Sequence, residues 1–310
     1  MILFAGIPSE EPLRLAIEQA DLLGLPHIVL NQRQVDRIDL HLAMDDAGVN
    51  GTLRIGGGHH ALDTITGCFA RLTDAATLPE LRARGRTPPD LARVARAGAL
   101  FALFDDLLDL LPARVANRPS STGSNMSKPF QAQLIAAAGL ATPPTLVTND
   151  PDAVRAFQAD HGRIVYKSVS AVRSIVRPWS PGDAPDLAAV AALPTQFQAF
   201  VPGENVRVHV IGSDLFATRI VSDAVDYRYA EREGHGIAME PMELPHPIHD
   251  ACVTLTATLG LLLSGIDLKR TPGGEWFCFE VNTQPAYSYF EQHGGQPIAA
   301  TLVRLLAGSE

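Results

Sequence analysis

The chain has 310 residues, 46% hydrophobic and 19% charged, which is enough apolar material for a substantial core and for about two domains. A net charge of -9 and an isoelectric point near 5.5 argue against nucleic acid as a partner, since phosphate-backbone binding calls for a basic face, and leave room only for a small basic pocket. The opening "MILFAGIPSEEP" carries no basic region ahead of a long apolar run, and no stretch approaches about 18 consecutive apolar residues, so neither secretion nor a membrane span is indicated.

The first segment alternates an apolar run, "MILFAGI", a helical pattern through Leu13, Ile17 and Ala20, and a second run, "HIVL". This reads as a βαβ opening and hence a parallel sheet. Cys68, Cys252 and Cys278 have neither CxxC nor metal spacing, which suits buried thiols in a reducing compartment and a cytoplasmic protein. The pair His59 and His60 in "GGGHH" lacks a third ligand at zinc spacing and reads as loop. Leu100, Phe101, Leu103, Phe104, Leu107, Leu108 and Leu111 form a helical apolar stripe that packs in a core. "ANRPSSTGSNMSKP" then interrupts regular structure and marks a boundary, giving an N-terminal α/β domain over 1–117 and a second domain over 118–310.

Beyond the boundary, "PFQAQLIAAAG" is a helix closed by Gly139. "TPPTLVTNDPDAVRAF" supplies a strand and a helix started by Asn149 or Asp150 before Pro151. "RIVYKSV" and "TQFQAFVPG" are strands, "SPGDAP" a loop, and "NVRVHVIGSDLFATRIVS" a hairpin turning at Gly-Ser-Asp. If that turn centres on Ser213, Arg207 and Arg219 become neighbours, either as a surface pair or as part of a site. Ile248, Cys252, Leu255, Leu259 and Leu262 step by 4, 3, 4 and 3 along an amphipathic helix.

"GIDLKR", "TPGG" and "EWFCFEVN" then read as two strands and a four-residue turn. Pairing Arg270 with Glu275 sets Asp267 opposite Cys278 and a diagonal step from Glu280. Strand alternation puts Cys278, Glu280 and Asn282 on one face, with Phe277, Phe279 and Val281 on an apolar one. Asp267, Glu280 and Asn282 thus converge. Two close carboxylates repel unless a cation lies between them, and hard oxygen donors suit Mg²⁺ or Mn²⁺. The spacing by itself would equally suit a solvated face. Lys167, inside the apolar strand "IVYKSVS", either snorkels to the surface or meets an anion, with Ser168 and the small residues after it able to contact phosphate.

Jointly, "SKPFQAQLIAAAGLATPPTLVTND", "VYKS", "QFQAFVPGENVRVHVIG", "DYR", "GIDL" and "EVNTQP" resemble the ATP-grasp superfamily of carboxylate-amine ligases. The resemblance runs from about residue 117 to 310 and is strongest to the branch of the ribosomal-protein glutamate ligase and the ribosomal-peptide macrocyclases. It implies an ATP-grasp fold, α+β in this part, with residues 142–200 as a lid subdomain and an N-terminal Rossmann-like domain before it. It further implies that Lys128 and Lys167 hold the ATP phosphates, and that Gln198, Ala199, Phe200 and Val201 form the hinge for adenine. Asn205 would stand at the ribose, where the family usually has an acidic residue. Arg207 and Arg219 would face the phosphates or an acyl phosphate, Arg228 the phosphate or substrate, and Asp267, Glu280 and Asn282 would hold Mg²⁺. Where the family reads E-x-N-x-x-P-G, this chain has Gln284, Pro285 and Ala286 after Thr283.

The reaction implied joins a carboxylate to an amine at the expense of ATP, through an acyl phosphate, releasing ADP and phosphate. A peptide, a protein side chain or a free amino acid would each serve as substrate, and a homodimer is the implied assembly. Two rival readings share the fold: a non-catalytic ATP-binding regulator, and a phosphotransferase that stops at a phosphorylated product.

Overall fold

In the computed structural model, which describes residues 1–46, 48–82, 88–169, 176–179, 187–221 and 236–309, the first apolar run is strand β1 (Ile2–Gly6), buried throughout. Helix α1 (Glu11–Leu22) carries Pro12 in its first turn, where a missing N–H forfeits no helical bond, and buries Leu13, Ala16 and Ala20. Strand β2 (His27–Asn31) returns parallel to β1, as the βαβ pattern requires. An antiparallel ribbon of β3 (Ile38–Asp45), β4 (Gly48–Ile55) and β5 (Gly58–Ala61) follows. Ile38, Leu40, Leu42 and Met44 alternate with polar or small residues along its first strand, and "GGGHH" proves to be part strand, since Gly58–Ala61 pairs with β4.

Strand β6 (Gly67–Arg71) joins the other side of β1 in parallel. Helix α2 (Leu91–Leu110) buries Phe101, Phe104, Leu107 and Leu108 of the expected stripe and leaves Leu103 exposed. Strand β7 (Arg114–Ala116) completes a parallel sheet of order β2-β1-β6-β7.

Helix α3 (Lys128–Ala137) ends before Gly139, whose φ of +85° favours glycine. Strand β8 (Thr145–Thr148) leads to α4 (Pro151–His161), and Asp150 is its cap, its carboxylate accepting from the Asp152 N–H. Strands β9 (Ile164–Ser168) and β10 (Arg177–Trp179), helix α5 (Leu187–Ala192) and β11 (Thr195–Ala199) follow. They build an antiparallel sheet of order β10-β9-β11-β8 over a small core of Val154, Ile164, Trp179 and Phe197. The loop read from "SPGDAP" lies outside the described residues.

Strands β12 (Glu204–Ile211) and β13 (Asp214–Val221) form the expected hairpin. With β14 (Ala238–Met242), β15 (Leu263–Arg270) and β16 (Trp276–Asn282) they make a five-stranded antiparallel sheet of order β14-β13-β12-β15-β16. Helix α6 (His246–Thr258) and α3 cover its apolar face, where Val206, Val208, Val210, Leu255, Ile266 and Val281 pack. Helices α7 (Ser288–Gly294) and α8 (Ile298–Ala307) close the chain.

The expected division near residue 117 falls just past β7, yet one core crosses it. Phe4, Leu13 and Phe69 pack with Tyr287, Leu302 and Leu306, and the Tyr287 hydroxyl donates to the Pro12 carbonyl. This seal fixes the N-terminal sheet against the strands that carry the site.

Candidate active site

The hairpin of β15 and β16 differs from the expected register. Arg270 opposes Trp276, so the turn holds five residues, with the Thr271 N–H donating to the Glu275 carbonyl at 2.9 Å. Leu268 opposes Cys278, but Asp267 opposes Glu280, and Phe279 is the extra residue of a β-bulge. The bulge resets the alternation. Cys278 and Val281 enter the apolar core, while Phe279 and Glu280 both face the cleft described next. Asp267 and Glu280 are thus direct cross-strand partners, closer than the diagonal relation read from the sequence. Asn282 follows on Glu280's face, opposite Gly265, whose lack of a side chain admits the Arg207 guanidinium: a Cβ there would lie 2.5 Å from Arg207 Nη2.

Between this sheet and the β8–β11 sheet lies a cleft. Its walls include Lys167, Gln198, Ala199, Phe200, Val201, Asn205, Asp267 and Glu280, eight residues singled out in the sequence. Val165, Val176 and Phe279 add apolar surface. Lys167 is buried, 6% exposed, on β9 opposite Gln196. A lysine so placed is costly unless its ammonium meets an acceptor. Gln198 is tied through its Nε2 to the Thr145 hydroxyl at 3.0 Å, which holds the strip of residues 198–201 in place.

The other predicted residues lie elsewhere. Lys128 is half-buried at the start of α3, and Ser168 is exposed at the end of β9; neither lines the cleft. Arg207 is buried and its Nη1 donates to Asp267 Oδ1 at 2.7 Å. Arg219 does not adjoin it on the same face. The turn places Arg207 opposite Thr218 and Arg219 opposite Val206, so strand alternation sends Arg219 to the other side, where Glu204 and Glu240 hold it at 3.2 and 2.6 Å. Arg228 and the "DYR" segment lie outside the described residues, as does most of the loop after Ser168.

Among the described residues no group of three or more His, Cys, Asp and Glu is placed to hold a metal ion. The donors here are two carboxylates and an amide oxygen, the hard set that Mg²⁺ accepts alongside water and phosphate. Direct opposition of two carboxylates in a half-enclosed cleft fits a divalent cation.

Residues 128–306, more than half the chain, match the RimK-like ATP-grasp domain family. The chain belongs to that family. No curated protein matches it by sequence. Among solved structures, the ATP-grasp ligase PsnB in complex with a minimal precursor, Mg and ADP is 26% identical, with a TM-score of 0.78 over 99% of this chain and 96% of that one. The macrocyclase MdnC of Microcystis aeruginosa MRC, bound with precursor peptide MdnA, is 20% identical, with a TM-score of 0.81 over 99% of each chain. A RiPP-associated ATP-grasp ligase of Chryseobacterium gregarium, in complex with ADP and a leader and core peptide, is 19% identical, with a TM-score of 0.80 over 100% and 97%. At such identities the latter two show the fold alone.

Four residues that line or brace the cleft escaped the sequence reading. Lys269 lines the cleft, which its i+2 spacing from Asp267 already encodes. Burial, then the charge of Arg163, lowers its pKa. Gln131 in α3 grips the backbone of Val281. Asn117 accepts at Oδ1 from the Leu262 and Leu263 N–H groups and donates from Nδ2 to the Leu263 and Thr283 carbonyls, lacing the start of β15 to the end of β16. Arg71 reaches from the N-terminal sheet to the Gln284 and Pro285 carbonyls at 3.4 and 3.3 Å while paired with Glu10. The only sequence signal for the last three is a polar residue in an apolar setting, and their partners are far away along the chain.

Proposed function

We propose that this ATP-grasp protein is an ATP-dependent ligase that activates a carboxylate of a peptide substrate as an acyl phosphate and joins it to an amine, releasing ADP and phosphate. The observation that carries the reading is the opposition of Asp267 and Glu280 inside a cleft that also presents Lys167 and the strip 198–201. The peptide as substrate is supported by PsnB and MdnC, which are described in complex with a precursor or precursor peptide. The cytoplasm suits three buried, unpaired cysteines.

In this reading Asp267, Glu280 and Asn282 hold Mg²⁺, which when bound offsets charge on the phosphate oxygens. Lys167 and Lys128 bind phosphate oxygens, and residues 198–201 receive the adenine between apolar walls. A carboxylate oxygen attacks the γ-phosphorus, the bond to ADP breaks, and the acyl phosphate forms; the amine then attacks the carbonyl carbon and phosphate departs with the bonding pair. Arg207, held by Asp267, is the cation next to the transferring group. Arg228 is assigned to substrate from the family pattern. No protein nucleophile takes part: burial raises the Cys68 and Cys252 thiols to about 12 and that of Cys278 well above its usual value.

The test is ADP release with Mg²⁺ and ATP against pools of peptides rich in Asp, Glu and Lys, with loss of one water from the peptide followed by mass spectrometry. An Asp267→Asn/Glu280→Gln variant serves as control. Coupled ADP release and dehydration, absent in the variant, supports the ligase. A stable phosphorylated peptide would instead identify a phosphotransferase, and ATP binding without turnover a regulator.

A further inference from the structure

Lys269 is a cation of the cleft for which the reading above has no task. It stands two residues beyond Asp267 on β15 and directly opposite Asn205 on β12, and both residues line the cleft. Its ammonium donates to the Val201 carbonyl at 3.1 Å and lies 5.2 and 5.9 Å from the ring centroids of Phe200 and Phe279. An ammonium has three N–H donors, so beyond the bond to Val201 it can still donate to a group in the cleft. A half-buried ammonium is partly desolvated where a leucine or methionine would finish an apolar wall. The two rings offset part of that cost through cation–π attraction. The rest falls to whatever occupies the cleft.

The position selects which part of the occupant is met. Two residues of strand span about 6.6 Å, so Lys269 sits one such step from the carboxylates, on the side of the strip 198–201. In a nucleotide with its phosphates at Lys167, Asp267 and Glu280 and its base at that strip, the group at this station is the sugar. We propose that Lys269 donates to the ribose hydroxyl oxygens of the nucleotide, with the Asn205 amide beside it, and so selects ribonucleotides. The assignment rests on the ATP-binding reading above. It assigns the ribose site a charged donor on β15, where an acidic residue at position 205 would have made it an acceptor.

The test compares binding of ADP and 2′,3′-dideoxyADP, each with Mg²⁺, by calorimetry on the full-length protein and on Lys269→Met and Lys269→Arg variants. Neither ligand is turned over, so affinity is read apart from activity. The wild type is expected to prefer ADP by about tenfold, the scale of one charge-assisted hydrogen bond. Lys269→Met should lose about tenfold in ADP affinity while binding dideoxyADP as the wild type does, which also shows that the variant folds. Lys269→Arg, which keeps donors, should retain part of the preference. A wild type that binds both ligands equally, or a methionine variant with the full preference, overturns the assignment while leaving the ATP reading intact. Failure of the wild type to bind ADP at all would overturn both.

Discussion

The side-chain amide of Gln131 makes both hydrogen bonds that a neighbouring strand would offer Val281: Nε2 donates to the Val281 carbonyl and Oε1 accepts from its N–H, each at 2.8 Å. Gln131 is 2% exposed, and Val281 lies between Glu280 and Asn282 on an edge strand. One helical residue therefore fixes the backbone that aims two of the proposed metal donors. Gln131→Leu would leave a buried donor and acceptor unpaired, a loss of roughly 2–5 kcal/mol. The Mg²⁺ concentration for half-maximal ADP release should rise by roughly tenfold, as for lost support of a metal ligand, with a smaller change in KM for ATP at saturating metal. Urea unfolding and a Mg²⁺ titration separate the two effects. An unchanged Mg²⁺ requirement in a folded variant would remove Gln131 from the metal site.

Gly265 tests the space given to Arg207. A Cβ there would fall 2.5 Å from Arg207 Nη2 and 2.7 Å from Pro285 Cβ, both closer than real Cβ contacts allow. Gly265→Ala should displace the guanidinium and the turn after β16, lowering kcat by roughly 10- to 100-fold, since misplacement of about 1 Å has such effects. A variant with wild-type kcat would show that Arg207 has another productive position.

The elements of the fold were legible where periodicity was strong. Leu13 and Ala20 mark α1, and the alternation through Val206, Val208 and Val210 marks β12, because apolar spacing alone distinguishes helix from strand. The ribbon of residues 38–61 was missed although Ile38, Leu40, Leu42 and Met44 alternate with Asp39, His41, Ala43 and Asp45 as a half-buried strand should, so the period-2 signal was present and was not used. In the site, the composition of the metal strand was legible and its register was not. A one-residue change of turn length and a bulge at Phe279 exchange Cys278 for Phe279 on the cleft face, and no local spacing announces either. The reading of Arg207 and Arg219 as neighbours failed for the same reason, since a shift of one residue in hairpin register moves a side chain to the opposite face.

The ion pair of Arg207 with Asp267 joins a 6%-exposed guanidinium to a 21%-exposed carboxylate. Arg207→Met removes the cation from beside the proposed transferring group and should lower kcat by roughly 100-fold or more, the scale of one lost electrostatic stabiliser. Breaking a largely buried pair should also cost about 3 kcal/mol in urea unfolding. By contrast, Arg219→Met disturbs only a partly exposed, solvent-screened pairing with Glu204 and Glu240, so the urea midpoint should barely move. Activity of the Arg219→Met variant then decides whether that residue belongs to the site: a fall comparable to that of Arg207→Met would return it there.

His209 gives the site face a defined response to acid. The ring is fully buried against Phe290, 5.0 Å between centroids, and its Nε2 accepts from Arg207 Nε at 3.5 Å, which leaves the neutral ring's proton on Nδ1. Burial first, and the Arg207 charge second, lowers its pKa well below the usual 6.5. Between that lowered value and 6.5 the unfolded chain binds a proton that the folded chain refuses, so stability is full above pH 6.5 and falls as pH drops through that window. The slope contributed by this one group approaches about 1.4 kcal/mol per pH unit. His209→Phe keeps an aromatic ring against Phe290 and removes the titrating group, so the difference in unfolding free energy between pH 8 and pH about 5 should shrink by roughly 1–2 kcal/mol relative to the wild type. Urea unfolding of both proteins at the two pH values measures this directly. Equal acid sensitivity in the two would mean that His209 is protonated without penalty in the fold, and that the buried contact with Arg207 opens under acid.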